Sequence, residues 1–309
     1  MGRRSRCRVG CARYCRIDGA RASPYSDPVT IGYRSALAAA RLAADSGRLF
    51  GRSLRATVRE NMRLTLGEAP PALVRATYRH FASALVDIGW YDKLVDPARM
   101  DEHFLRDGPG WEQFETVGRT GSVCATGHFG NWELFGAVFH QVGIPMSAVI
   151  RPPDTPWFRR HVEKLRRDFG LDPIDKRNAL IRAHRAIRKG RCVAFLMDQA
   201  AGRHGIPVPF LGQPAWTHTA PAALAKKLDV PLFAGYSTRL GDGVRYRCWT
   251  EQISTEGDVE TITRRINAVL EQYVRAAPEQ WWWFHKRFKP PRSQRRGNKL
   301  SPAGIPISE

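Results

Sequence analysis

The sequence predicts an α/β protein in which an open mixed sheet is flanked by helices and preceded by a set of N-terminal helices. Three observations predict it. From residue 121 onward, short apolar runs alternate with stretches of helical periodicity, the pattern of a layered α/β domain. The run CVAFLM at 192–197 is unbroken and apolar, as a central strand covered on both faces would be. Between residues 31 and 88 the apolar spacing is helical.

Taken in order, residues 1–28 are Arg-rich, lack an apolar signal core and carry Ser23-Pro24 and Asp27-Pro28, so they read as a flexible basic arm. Over 31–50, Leu37, Ala40, Ala44 and Leu49 line one helix face, while Arg34, Arg41, Asp45 and Arg48 prevent a membrane span. That helix suits a membrane interface or a cap on the globular domain. Helices follow at 54–66 and, after Pro70-Pro71, at 72–88, where Tyr78, Phe81, Leu85 and Ile88 share a face of core character. The sheet region then reads as strands at 122–126, 145–150, 192–197, 231–238 and 243–250. Helices fall at 132–142, 157–169, 178–189, 220–228 and 259–275, with a Gly/Pro-rich loop at 199–216. One domain is expected over 29–291, made of a helical lead-in (29–105) and an α/β core (106–291), with a basic tail at 292–309.

The stretch 121–136, GSVCATGHFGNWELFG, carries the chemistry. Gly127 and Gly130 break a strand into a turn, Asn131 can cap the next helix, and Glu133 lies in that helix's first turn. Because the turn holds His128 outside the helix, His128 and Glu133 can face one pocket. A histidine steadied by a carboxylate takes a proton from a hydroxyl near neutral pH, and amides at a helix start can hold an oxyanion. On spacing alone the plainer reading is favoured, a turn histidine and a carboxylate complementing the helix dipole, because such pairs arise often by chance.

Further residues narrow the choice. His128, four residues, then Glu133 resembles the His-x4-Asp/Glu signature of the glycerolipid acyltransferase superfamily. The string GHFGNWE is similar to the lauroyl/myristoyl acyltransferase family of lipid A biosynthesis. The resemblance continues in IRPPDTPWF from Ile150, MDQAAGRHGIPVPFLG from Met197 and PEQWWWFHKRFKP from Pro278, covering roughly 50–291. It implies His128 as general base, Glu133 as its partner, and Arg151, Asp198 and Arg203 as substrate-binding residues. Arg151 suits a phosphate on the acceptor and equally a structural ion pair. Asp198, at a buried strand end, is costly unless it is used or paired. Phe210, Trp216 and Trp281 to Phe284 are candidates for an acyl channel, with plain core roles the alternative.

The resemblance also implies the partners: a fatty acyl thioester on acyl carrier protein or CoA as donor, and a lipid A precursor or related membrane glycolipid as acceptor. No cofactor or metal is expected. The family usually carries an N-terminal membrane span, which 31–50 cannot form, so a peripheral position at the cytoplasmic face of the inner membrane is expected. A net charge of +20 implies an anionic partner, and an anionic membrane surface is the expected one. A nucleic-acid-binding protein is the competing class, but no recognition helix, RNP strand or stacking platform is present, and no nucleic acid is expected. A phosphatidylinositol mannoside or a lysophospholipid is the alternative acceptor. GxSxG, Walker A, HExxH and dinucleotide signatures are absent, favouring direct transfer without a covalent serine intermediate. Cys124, Cys192 and Cys248 sit in apolar or β-like runs and read as reduced core residues. Cys7, Cys11 and Cys15 match no metal spacing.

Overall fold

Five helices and a two-residue strand precede the first long strand. The computed structural model describes residues 28–94, 100–106, 110–150, 154–175 and 177–289, and the backbone alone at 28–30, 48–50, 94 and 203. The expected arm at 1–27, the tail at 292–309, the three N-terminal cysteines and Arg151 lie outside the described residues. Helix α1 (Pro28–Phe50) buries Tyr33 and Leu37 in a cluster with Ile88 of α3 (Pro71–Leu94), so it is a cap on the globular body. Between them α2 (Arg52–Leu66) buries Val58 and Met62 and stops at Gly67, whose φ of +82° supplies the left-handed terminus. Short α4 (Met100–His103), β1 (Phe104–Leu105) and α5 (Trp111–Val117) complete the lead-in.

The sheet then forms by alternation: β2 (Ser122–Thr126), α6 (Trp132–Gln141), β3 (Met146–Val149), α7 (Pro156–Asp168), β4 (Asp172–Ile174), α8 (Ala179–Arg188) and β5 (Cys192–Leu196). After a hairpin, β6 (Ile206–Phe210) and β7 (Gln213–Thr217), come α9 (Ala220–Leu228), β8 (Leu232–Arg239), β9 (Tyr246–Gln252) and α10 (Val259–Ala276). The seven-stranded order is β1-β9-β8-β2-β5-β3-β4. Within this sheet β2, β3, β4, β5 and β8 run parallel, and among its described strands β8 and β9 pair antiparallel. The expected open mixed sheet is what forms. β2 is buried at all five positions and β5 at four, so the two strands that carry His128 and Asp198 at their ends are the central ones. One apolar cluster packs α8, α9 and α10 on one face, and another packs α5, α6 and α7 on the other.

The loop expected at 199–216 is partly a hairpin. Three prolines argued against strands there, but Pro207, Pro209 and Pro214 all point to solvent while Val208, Phe210 and Ala215 are buried. A two-stranded ribbon leaves outer edges where a missing N–H costs little. Leu85, expected in the core, is 54% exposed beside buried Phe81 and Ile88. Among the described residues no helix is long and apolar enough to cross a membrane.

Candidate active site

The β2–α6 turn is held from every side. Gly130 has φ +62°, and a Cβ there would lie 1.7 Å from the Ser237 carbonyl oxygen of β8, so only glycine fits. The Gly130 amide donates to the Gln280 carbonyl (2.9 Å), and its carbonyl accepts from His80 Nε2 of α3 (3.0 Å). Asn131 caps α6 by accepting from the Leu134 amide (3.2 Å), while its Nδ2 donates to the Ala84 carbonyl and the Tyr246 hydroxyl, both at 3.2 Å. From the C-terminal segment, Trp282 donates its amide to the His128 carbonyl (2.9 Å). The amides of residues 128–131 and 134 are thus used internally. Among the described residues no hydrogen bond is found for the amides of Trp132 and Glu133 at the helix start.

Asp198, just past the end of β5, meets His128 across the sheet. Its Oδ1 accepts from His128 Nδ1 at 2.8 Å, and its Oδ2 accepts from the His128 amide at 2.8 Å and from Trp281 Nε1 at 2.9 Å. Gly127 permits the approach, because a Cβ there would lie 3.1 Å from the Asp198 carboxyl carbon. Burial alone would raise the carboxyl pKa. The charge of His128 and the three hydrogen bonds outweigh it and hold the pKa down at about 2. With Nδ1–H donated to a carboxylate, Nε2 carries the lone pair; the His128 side chain is 15% exposed. Gln199 places its amide nitrogen 3.3 Å from that Nε2.

Glu133 is placed elsewhere. Its two oxygens take Arg166 of α7 in a bidentate pair at 2.6 and 2.9 Å, with 13% and 10% of the side chains exposed. The sequence pointed to Glu133 as the carboxylate on His128; in the structure Asp198 fills that place. A five-residue offset sends Glu133 along α6 toward α7, whereas parallel β2 and β5 bring their carboxyl ends together. Arg203 lies in the short 3₁₀ turn Gly202–His204, and its side chain is outside what the structure describes.

Two supports come from the motif PEQWWWFHKRFKP, whose basic residues the sequence suggested for a bilayer surface and two of which the structure turns inward here. His285 accepts the Ala200 amide through Nε2 (2.7 Å), and burial lowers its pKa, fitting a neutral ring. Arg287, 1% exposed, donates to the carbonyls of Gln199 (3.2 Å) and Trp216 (2.5 Å) and to Thr217 Oγ1 (2.5 Å), and burial lowers its pKa to about 10. Both fix the strand end that carries Asp198. Of the expected acyl-channel aromatics, Phe210, Trp281 and Trp283 are core. Trp282 and Phe284 instead join Trp132 and Tyr78, all partly exposed, around buried Phe81 in an aromatic wall. Trp132 meets the His128 ring at 4.8 Å, and Trp282 meets Trp132 at 5.8 Å and Phe81 at 4.8 Å. Among the described residues no three His, Cys, Asp or Glu side chains are arranged to hold a metal.

An imidazole oriented by a buried carboxylate at the carboxyl edge of a parallel sheet, beside an apolar wall, is an arrangement capable of general-base chemistry. Comparison with known proteins gives the family. Residues 31–290 match the model of the bacterial lipid A biosynthesis acyltransferases, and the chain belongs to that family. It is similar to the phosphatidylinositol mannoside acyltransferase of Mycolicibacterium smegmatis, 26% identical over 52% of this chain and 54% of that protein. The lipid A biosynthesis lauroyltransferase of Escherichia coli is 31% identical over 52% and 54%, and the palmitoleoyltransferase of the same organism 26% over 70% and 71%. The chain thus spans about half the length of the first two relatives.

Proposed function

We propose that the protein is an O-acyltransferase that moves a fatty acyl chain from a thioester to a hydroxyl of a lipid A precursor or a related membrane glycolipid. The observation that carries it is the His128–Asp198 pair, with the His128 ring against Trp132 of the aromatic wall. Nε2 accepts the proton of the acceptor hydroxyl as its oxygen bonds to the thioester carbonyl carbon. Asp198 stabilises the imidazolium that forms. The tetrahedral oxyanion collapses, the carbon–sulfur bond breaks, and the imidazolium returns its proton to the departing thiolate. In this reading the oxyanion is assigned to the Trp132 and Glu133 amides at the start of α6, and the acyl chain to the apolar faces of Trp132, Trp282 and Phe284.

Glu133 acts in this reading as a positioning residue, tying α6 to α7 through Arg166. The family resemblance supports Arg151 and Arg203 as contacts to anionic groups of acceptor or donor, with acyl carrier protein or CoA carrying the thioester. Similarity to the mannoside acyltransferase favours a second acceptor, a phosphatidylinositol mannoside. The test supplies purified protein with an acyl thioester and each lipid in turn, and reads acylated product by mass spectrometry. Product from neither lipid, with protein shown folded by circular dichroism, refutes the proposal.

A further inference from the structure

Four adjacent strands, β2, β5, β3 and β4, run parallel, so their carboxyl ends form one line along the sheet edge. His128 follows β2 and Asp198 follows β5. Continuing along that line, α7 starts after β3 with Trp157 as its second residue, and α8 starts after β4 with Leu180 and Ile181 as its second and third. The two helices lie on opposite faces of the sheet. α7 sends Val162 and Leu165 into one core cluster, and α8 sends Ala183, Ala186 and Ile187 into the other. Their inward faces are thus filled without these three residues. Trp157 is 67% exposed, and Leu180 and Ile181 are each 54% exposed.

We propose that this edge of the molecule, beyond the His128–Asp198 pair, docks on an anionic lipid bilayer through Trp157, Leu180 and Ile181 and the arginines around them. The inference rests on the reading of the acceptor as a membrane lipid, and it names the surface that brings the base to that lipid. Arg160, Arg177 and Arg182 are exposed among the apolar residues; Asp154 and Asp175 are the acids beside them, α7 carries Glu163 and Asp168 farther from its start, and α8 has none. An indole and two branched aliphatic side chains flanked by guanidinium groups suit headgroup depth, where rings settle and cations meet lipid phosphates. An acidic carrier protein would be met by the arginines alone and would leave the apolar side chains without a role.

The test is co-sedimentation of the full chain with phosphatidylglycerol/phosphatidylcholine vesicles, with no substrate present. The triple variant Trp157→Ala/Leu180→Ser/Ile181→Ser removes surface side chains only, and its circular dichroism should match the parent. It should lose roughly tenfold or more in vesicle affinity. Arg160→Gln and Arg182→Gln should each cost about fivefold on phosphatidylglycerol vesicles and little on phosphatidylcholine alone. Turnover of a detergent-dispersed lipid acceptor by the triple variant should stay near the parental value. Parental binding by the triple variant overturns the proposal. So does release by Ile31→Ser/Leu42→Ser on α1 while the triple variant stays bound, or loss of acyl carrier protein binding with vesicle binding intact. A chain that docks through this edge yet acylates no lipid leaves the docking standing and removes the functional reading.

Discussion

At the scale of single residues, the two carboxylates near His128 can be ranked by experiment. His128→Ala should lower turnover by ~10²–10⁴-fold, the usual share of general-base catalysis, with the fold intact because a turn residue opens no core cavity. Asp198→Asn should approach that loss, since the amide no longer stabilises the imidazolium, and the double variant should be little worse than the single ones. Glu133→Gln should lower turnover less and stability more, because it leaves Arg166 without its carboxylate. Steady-state kinetics beside urea unfolding separates these outcomes, and a Glu133→Gln loss exceeding that of Asp198→Asn would restore the sequence-based pairing. His80 offers a pH test. Burial depresses its pKa from 6.5 to about 4, so between those values the unfolded chain binds a proton that the folded one refuses. Acidification across that window should therefore cost roughly 3 kcal/mol of stability. His80→Gln, which keeps a donor for the Gly130 carbonyl, should flatten that slope.

At the scale of elements, the catalytic turn is braced by a buried polar cluster between α3, β8 and β9. Asp87 of α3, fully buried, accepts from Arg239 Nε (2.7 Å), from the Tyr33 hydroxyl (2.6 Å) and from the Tyr246 hydroxyl, and Tyr246 in turn meets Asn131. Burial would lower the Arg239 pKa, but Asp87 raises it, so the guanidinium stays charged. Arg239→Met should destabilise by roughly 3–5 kcal/mol in urea titrations, because it strands a buried carboxylate, and Asp87→Asn/Arg239→Met should recover part of that loss. None of this was legible in the sequence, where Asp87 reads as one polar residue on a helix and Arg239 as a strand end. Local signals were legible where the period is strong. The run at 192–197 and the Asn131 cap appear within a residue of expectation; the helix after Pro70-Pro71 starts one residue early but runs to Leu94, six residues past its expected end at 88. Hairpin β6–β7 was hidden because proline content says what a central strand forbids and not what an edge permits.

At the scale of the whole molecule, the charge of +20 sits on a body whose described helices do not span a bilayer. Attachment to membranes should then be largely electrostatic, and high salt should strip much of the protein from a membrane fraction. Retention through salt and alkaline carbonate, with release by detergent alone, would show an anchor of another kind. The site was half legible at this scale. His128 and Asp198 each stand at a predicted strand end, which marks them as neighbours of a common edge, but strand order decides which ends touch. Placing β5 directly beside β2, across a gap of 70 residues, is a long-range pairing that local periodicity does not encode.

The C-terminal segment that closes over the turn has a bearing on biosynthesis. His128 leaves the ribosome long before Trp281, which donates to Asp198, and Trp282, which holds the His128 carbonyl. A nascent chain halted before residue 281 therefore carries both members of the proton-transfer pair without the indole and the amide that fix them. Under the proposed function, a chain truncated before residue 281 is expected to transfer no acyl group, and a thioester assay on a ribosome-stalled or truncated chain checks it.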